Sequence, residues 1–190
     1  LLKHRSNFKK PPIWDEVGLK GKNYIVMTLH RPANVDEENI LKELMDEIIK
    51  HSCGIPIIFP VHPRTSKIIK SLLSANSQQP ITKNLHLVEP LGYLEFNYLV
   101  EKSKAVITDS GGITEETTVM DIPCMTLRDN TERPETIDMG TNELLGVNPK
   151  AIALAMATLF TGKWKSGSIP HLWDGKTAER IVNHLLQLPC

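Results

Sequence analysis

Between Ala105 and Glu116 the chain reads AVITDSGGITEE: a β-branched run, a serine, two glycines, then a helical stretch carrying adjacent carboxylates. That order of residue types can hold a nucleoside diphosphate. Gly111 and Gly112 let backbone approach an anion closely. The first N–H groups of the helix that follows lack intrahelical partners and meet the anion with the positive end of the helix dipole. Ser110 adds a hydroxyl donor. Glu116 lies about five residues beyond the turn, roughly 7 to 8 Å along a helix at 1.5 Å per residue. That distance suits a ribose hanging from a bound pyrophosphate, and a carboxylate can accept from both ribose hydroxyls. A strand-to-helix turn with glycines for tight packing reads the same way, so the neighbouring motifs must decide.

Four other segments carry candidate groups. In TLHRPAN, His30 stands where a strand opens into a loop, and Pro32 keeps Arg31 out of helical geometry. A histidine there is either a general acid or base near neutral pH or a loop residue bonded to backbone. RDNTERPET brings Arg128 and Arg133, whose forked donors suit phosphate or sugar, though a solvated charged loop has the same composition. In EPLGYLEFNYL, Phe96 is a wall for a base or a core aromatic at helical spacing. In PVHPRT, His62 binds an anion or starts a helix. Asp36, Glu37 and Glu38 fill the first turn after HRPAN, so that helix already has its compensating charge and the phosphate belongs at the SGG helix.

To position these groups the chain must alternate short β-branched runs with amphipathic helices, the pattern of a doubly wound parallel sheet. Strands are expected at 24–29, 56–61, 85–89, 105–108, 123–127 and 141–145. Helices follow from a cap at Asp36, from Pro63 with Ile68, Ile69, Leu72 and Leu73 inward, and over 94–101, 112–120 and 150–160. A last helix over 177–188 is expected to bury Ile181, Val182, Leu185 and Leu186. In such sheets ligands sit beyond the carboxyl ends of the strands. His30, Arg31, His62, Glu89, Asp109 and Ser110 all fall there.

Twenty-two basic and 22 acidic residues balance, and no basic stripe forms, so neither a nucleic-acid backbone nor an anionic membrane is the expected partner. Three scattered cysteines without a C-x-x-C pair argue against a disulfide framework or a zinc site and favour a reducing cytoplasm. There is no G-x-G-x-x-G and no G-x-x-x-x-G-K-[ST], so neither a dinucleotide cofactor nor P-loop ATP hydrolysis is indicated. No H-E-x-x-H occurs either; the expected chemistry uses no metal and no cofactor. LLKH followed by SNFKKPP reads as a helix end entering a linker. The expected organisation is therefore a connecting segment over 1–22 from an N-terminal domain, a Rossmann-like domain over 23–173 and a C-terminal helix over 174–190.

Taken together, TLHRPANVD, PVHPRT, EPLGYLEFNYL, TDSGGITEE and RDNTERPE resemble the non-hydrolysing UDP-N-acetylglucosamine 2-epimerases over nearly the whole chain. The resemblance implies one half of a GT-B fold, the C-terminal domain that grips UDP, in an enzyme that is commonly a homodimer. It implies that Ser110, Gly111 and Gly112 hold the diphosphate, Glu116 the ribose and Phe96 the uracil region. It also implies that Arg133 faces the phosphate or sugar, and that His30 assists departure and return of UDP. Arg31 and His62 match residues near a second, regulatory UDP-sugar in some members. The carboxylates that move the C2 proton belong to the N-terminal domain in this family. Two positions depart from the usual bacterial pattern: HRPAN stands in place of HRREN, and Leu91 where many members have glutamine. A GT-B glycosyltransferase, a hydrolysing epimerase and a non-catalytic nucleotide-sugar sensor are the rival expectations.

Overall fold

In the computed structural model the described residues are 1–35, 37–61, 66–69, 71 and 81–188. Six strands form one sheet: β1 (Ile25–Thr28), β2 (Ile57–Pro60), β3 (Leu85–Val88), β4 (Ala105–Thr108), β5 (Cys124–Thr126) and β6 (Asn142–Leu144). Their order is β3-β2-β1-β4-β5-β6, and every pair is parallel. The chain winds outward from β1 to β3, then returns to lay β4 on the other side of β1. The order therefore reverses between β1 and β4, which opens a crevice at their carboxyl ends. Thr28 pairs with Thr108 at that point, and their hydroxyls lie 2.7 Å apart.

The longer helices are α1 (Glu38–His51), α2 (Tyr93–Lys102), α3 (Gly111–Met120), α4 (Pro149–Phe160) and α5 (Thr177–Leu186). Side chains alternate across the pleat, so Ile25, Met27, Phe59 and Ile107 face one way and pack with Leu41, Leu44 and Ile48 of α1 and Ile152 and Met156 of α4. Tyr24, Val26, Ile58 and Val106 face the other way, onto Leu99 and Val100 of α2 and Met120 of α3. Covering both faces requires near-continuous apolar strands, which is why AVIT and IVMT show no polar alternation. Free of such demands, the N-terminal segment still packs on this second face. Trp14 sets its ring edge-on to Tyr24 and Tyr98, and Arg5 bonds Glu101 at 2.7 Å.

The expected strands and helices recur with ends shifted by one or two residues. Glu37, not an aspartate, stands at the N-cap of α1, while Asp36, Pro63, Leu72 and Leu73 lie outside the described residues. Residues 66–69 are helical, with Ile68 and Ile69 on the core. One expectation is overturned: α5 buries nothing, and Ile181, Val182, Leu185 and Leu186 are 53 to 79% exposed. Helical spacing shows that α5 has an apolar face but not what that face meets. Here both faces of the sheet are already occupied by α1 with α4 and by α2 with α3.

Candidate functional site

Asp109, the residue after β4, is completely buried and gathers the loop that follows β1. Its carboxylate accepts from the backbone N–H of His30 at 3.0 Å and of Arg31 at 2.9 Å, and from Asn34 Nδ2 at 3.0 Å. His30 Nδ1 lies 2.8 Å from the other oxygen. Arg31 Nε donates to the Asp109 carbonyl at 3.1 Å, and Asn34 also reaches the Leu127 carbonyl at 3.1 Å. Desolvating a carboxylate is costly unless donors replace its water. Here the donors are the HRPAN loop itself, which is thereby fixed over the crevice.

The next residues begin α3. Ser110 is extended at the N-cap, its N–H donating to Thr108 Oγ1 at 3.0 Å, and its hydroxyl makes no capping bond. No acidic residue occupies the first turn of α3, unlike α1, which begins with Glu38. Gly112 is exposed, with nothing near the place where a Cβ would stand. The first turn itself therefore adds no negative charge to this dipole end, and the backbone is open at Gly112. It opens on a cleft of about 1000 Å³ lined by Ser110, Gly112, Glu116, Phe96, Tyr93 and Arg133 among others.

Across this cleft Tyr93 donates its hydroxyl to Glu116 Oε1 at 2.9 Å. Burial first, and then that bond to a carboxylate, push the Tyr93 phenol up to about 12. Phe96 is half-buried: it packs on the second core face and also lines the cleft, so both readings of this residue meet in one side chain. Arg133 is paired with Glu115 of α3, which raises its pKa further. Arg128 is buried and binds Glu132 through two bonds of 2.7 and 2.9 Å, with Asn130 Oδ1 at 3.1 Å. The Arg128 bond, helped by the charge of Arg31, holds the Glu132 carboxyl at about 2.

Ser110, Gly112, Glu116, Phe96 and Arg133 thus share one cleft. Gly111 faces Glu132 and Arg128 on its neighbouring side, and His30 and Arg31 are tied to the adjoining strand end. His62 lies outside the described residues. Sequence reasoning set Asp109 among strand-end polar groups without assigning it a role, and it passed over Asn34 and Tyr93. The signal for Tyr93 was its position three residues before Phe96, on the same helical face. For Asp109 it was an acid directly after an apolar strand, facing a loop rich in donors.

A family model described as UDP-N-acetylglucosamine 2-epimerase matches residues 1–186. A UDP-N-acetylglucosamine 2-epimerase of Methanocaldococcus jannaschii is 39% identical over 167 residues, covering 86% of this chain and 44% of the relative. The UDP-2,3-diacetamido-2,3-dideoxy-D-glucuronate 2-epimerase of Pseudomonas aeruginosa is 30% identical over 174 residues, covering 90% of this chain and 47% of the relative. The solved structure of the Methanocaldococcus jannaschii UDP-GlcNAc 2-epimerase in complex with UDP-GlcNAc and UDP superposes with a TM-score of 0.77 at 35% identity. That superposition covers 97% of this chain and 51% of the other. The chain spans about half the length of the curated relatives it matches.

Proposed function

Because this chain belongs to the UDP-N-acetylglucosamine 2-epimerase family, we propose that it is the UDP-gripping half of an enzyme that interconverts UDP-N-acetylglucosamine and UDP-N-acetylmannosamine. The observation that carries the proposal is the acid-free first turn of α3, set at the reversal of strand order beside the His30 loop. In this reading Ser110, Gly111 and Gly112 bind the diphosphate, Glu116 accepts from the ribose hydroxyls, Phe96 backs the uracil and Arg133 reaches the phosphate or sugar. Arg133 would have to share its charge with Glu115 or leave it. Arg31 and His62 belong to a regulatory UDP-sugar site, and residues 23–173 form the binding domain between a connecting segment and a terminal helix. The enzyme acts as a homodimer, and a reducing cytoplasm is in keeping with a thiol at Cys53 that is free and exposed.

Epimerisation proceeds by loss of UDP. A base supplied by the other half of the enzyme takes the C2 proton, the C2–H electron pair becomes the C1–C2 double bond, and the C1–O pair leaves with UDP. Return of a proton to the opposite face of C2 and re-addition of UDP complete the inversion. Negative charge grows on the leaving phosphate. Donors fixed at the α3 N-terminus and at His30 stabilise it more in the transition state than in the ground state. One relative acts on a diacetamido glucuronate, so a second reading keeps the nucleotide grip and changes the sugar.

Calorimetric titration with UDP tests the grip. Glu116→Ala, which removes a charged acceptor, is expected to weaken binding about tenfold, equivalent to about 1.4 kcal/mol. Proton NMR of each UDP-sugar in heavy water with the complete polypeptide tests the reaction. Loss of the C2 proton with a UDP-linked manno product is expected. Free sugar would identify a hydrolysing enzyme, and an unchanged C2 proton would overturn the proposal in favour of a transferase or a sensor.

A further inference from the structure

Resting on the reading of His30 as the group at the leaving phosphate, we infer that Asp109 is a positioning residue that locks the His30 imidazole with Nδ1–H turned inward, so that Nε2 faces the nucleotide. The hydrogen bonds to the Asp109 carboxylate among the described residues all come from N–H groups, the backbone of His30 and Arg31 and the amide of Asn34, and the His30 ring Nδ1 stands 2.8 Å from its Oδ1. A carboxylate in that setting only accepts. Two lone pairs facing each other at 2.8 Å would repel, so we place the hydrogen on Nδ1.

The bond made by one imidazole nitrogen decides what the other can do. With Nδ1 held as a donor, the neutral ring presents Nε2 as a lone pair, and only a second proton turns Nε2 into a donor toward a phosphate oxygen. The His30 side chain is 62% exposed whereas Asp109 is fully buried, so the inward nitrogen is the tethered one and the outward nitrogen is the one a ligand can reach. The other charges around the carboxylate are those of Arg31, whose Nε bonds the Asp109 carbonyl, and Arg128, which is paired to Glu132. Neither guanidinium bonds the carboxylate among the described residues, which leaves His30 as its ionisable partner.

A purely structural role predicts a different outcome, because the backbone bonds to Asp109 would hold the loop whatever the tautomer. Asn34 separates the two roles: it ties the loop to the same carboxylate without touching the ring. The test is long-range 15N–1H NMR of the His30 ring in this chain and in Asp109→Asn, with Asn34→Ala as the loop control. We expect a protonated Nδ1 in the unaltered chain and in Asn34→Ala, and loss of that signature in Asp109→Asn. A neutral ring protonated at Nε2 in the unaltered chain would overturn the inference.

UDP binding supplies the second arm. Asp109→Asn and His30→Gln are each expected to weaken binding about tenfold, and the double variant no more than either alone, because the two act as one unit. Additive losses, near a hundredfold, would mean that Asp109 works through the loop and would also overturn the inference. If Asp109→Asn does not fold, the spectrum of the unaltered chain still decides. Should UDP fail to bind at all, the proposed function falls while the tautomer remains measurable.

Discussion

Glu132 is exposed along most of its side chain, yet Arg128 holds its carboxyl at about 2, well below its ordinary 4.5. The native state therefore binds fewer protons than the unfolded chain between those values, and stability rises with pH across that window. The contribution of the pair is complete above about pH 4.5 and is lost as pH falls toward 2. We predict that Glu132→Gln lowers the thermal midpoint at neutral pH and that the two melting curves converge in acid. Curves that stay parallel down to pH 2 would show that Arg128 does not depend on this partner. At this scale the sequence shows residue types whose chemistry is local, SGG with its helix and a carboxylate five residues on, but a packing turn reads the same way until the neighbouring motifs are weighed. Asp109 was not readable in the same way. An acid at a strand end acquires its role from donors 75 to 79 positions away, at Asn34, Arg31 and His30.

Two helices with the same kind of apolar spacing meet different fates. In α4, Ile152, Met156 and Leu159 are buried against α1 and the sheet, and Asn148 caps the helix by accepting from the Lys150 N–H at 3.0 Å. In α5, the matching residues face outward. Met156→Ala should therefore cost about 2 to 5 kcal/mol through lost burial and the cavity left behind. In a chain of this size that is a fall of roughly 4 to 20 °C in thermal midpoint, at about 2 to 4 °C per kcal/mol. Leu185→Ala should move the midpoint by no more than about 2 °C, since an exposed substitution typically changes stability by about 0.5 kcal/mol or less. Equal losses in the two variants would mean that α5 is packed in solution. Periodicity gave the element types, but it could not distinguish a helix with a place on the sheet from one without. Occupancy of the sheet faces is a property of the assembled layers.

Across the whole molecule, the parallel, doubly wound pattern was legible because β-branched runs and amphipathic stretches alternate along the chain. The order β3-β2-β1-β4-β5-β6 was not, since strand neighbours depend on crossovers that no local window contains. That order sets the crevice between β1 and β4, and the cleft beside it is lined by Ser110 and Glu116 together with Leu1, Leu2, Trp173 and Thr177. A ligand seated there touches segments far apart in sequence, so binding should couple to global stability and not only to the α3 turn. Any ligand that binds the folded chain alone stabilises it by RT ln(1 + [L]/Kd), about 2.7 kcal/mol at a hundredfold excess over Kd. UDP at that excess is therefore expected to raise the melting midpoint by roughly 5 to 10 °C, at about 2 to 4 °C per kcal/mol. Uridine, which lacks the anion for the α3 N-terminus, should give a much smaller shift at the same concentration. Equal shifts from uridine and UDP would remove the diphosphate from this helix terminus. A UDP shift carried unchanged by Glu116→Ala would remove the ribose from Glu116. With the C2 base proposed to lie in the other half of the enzyme, this chain with UDP-N-acetylglucosamine in heavy water should show the thermal shift without exchange of the C2 proton. Exchange by the chain alone would require a base within it, and the division of labour between the two halves would have to be redrawn.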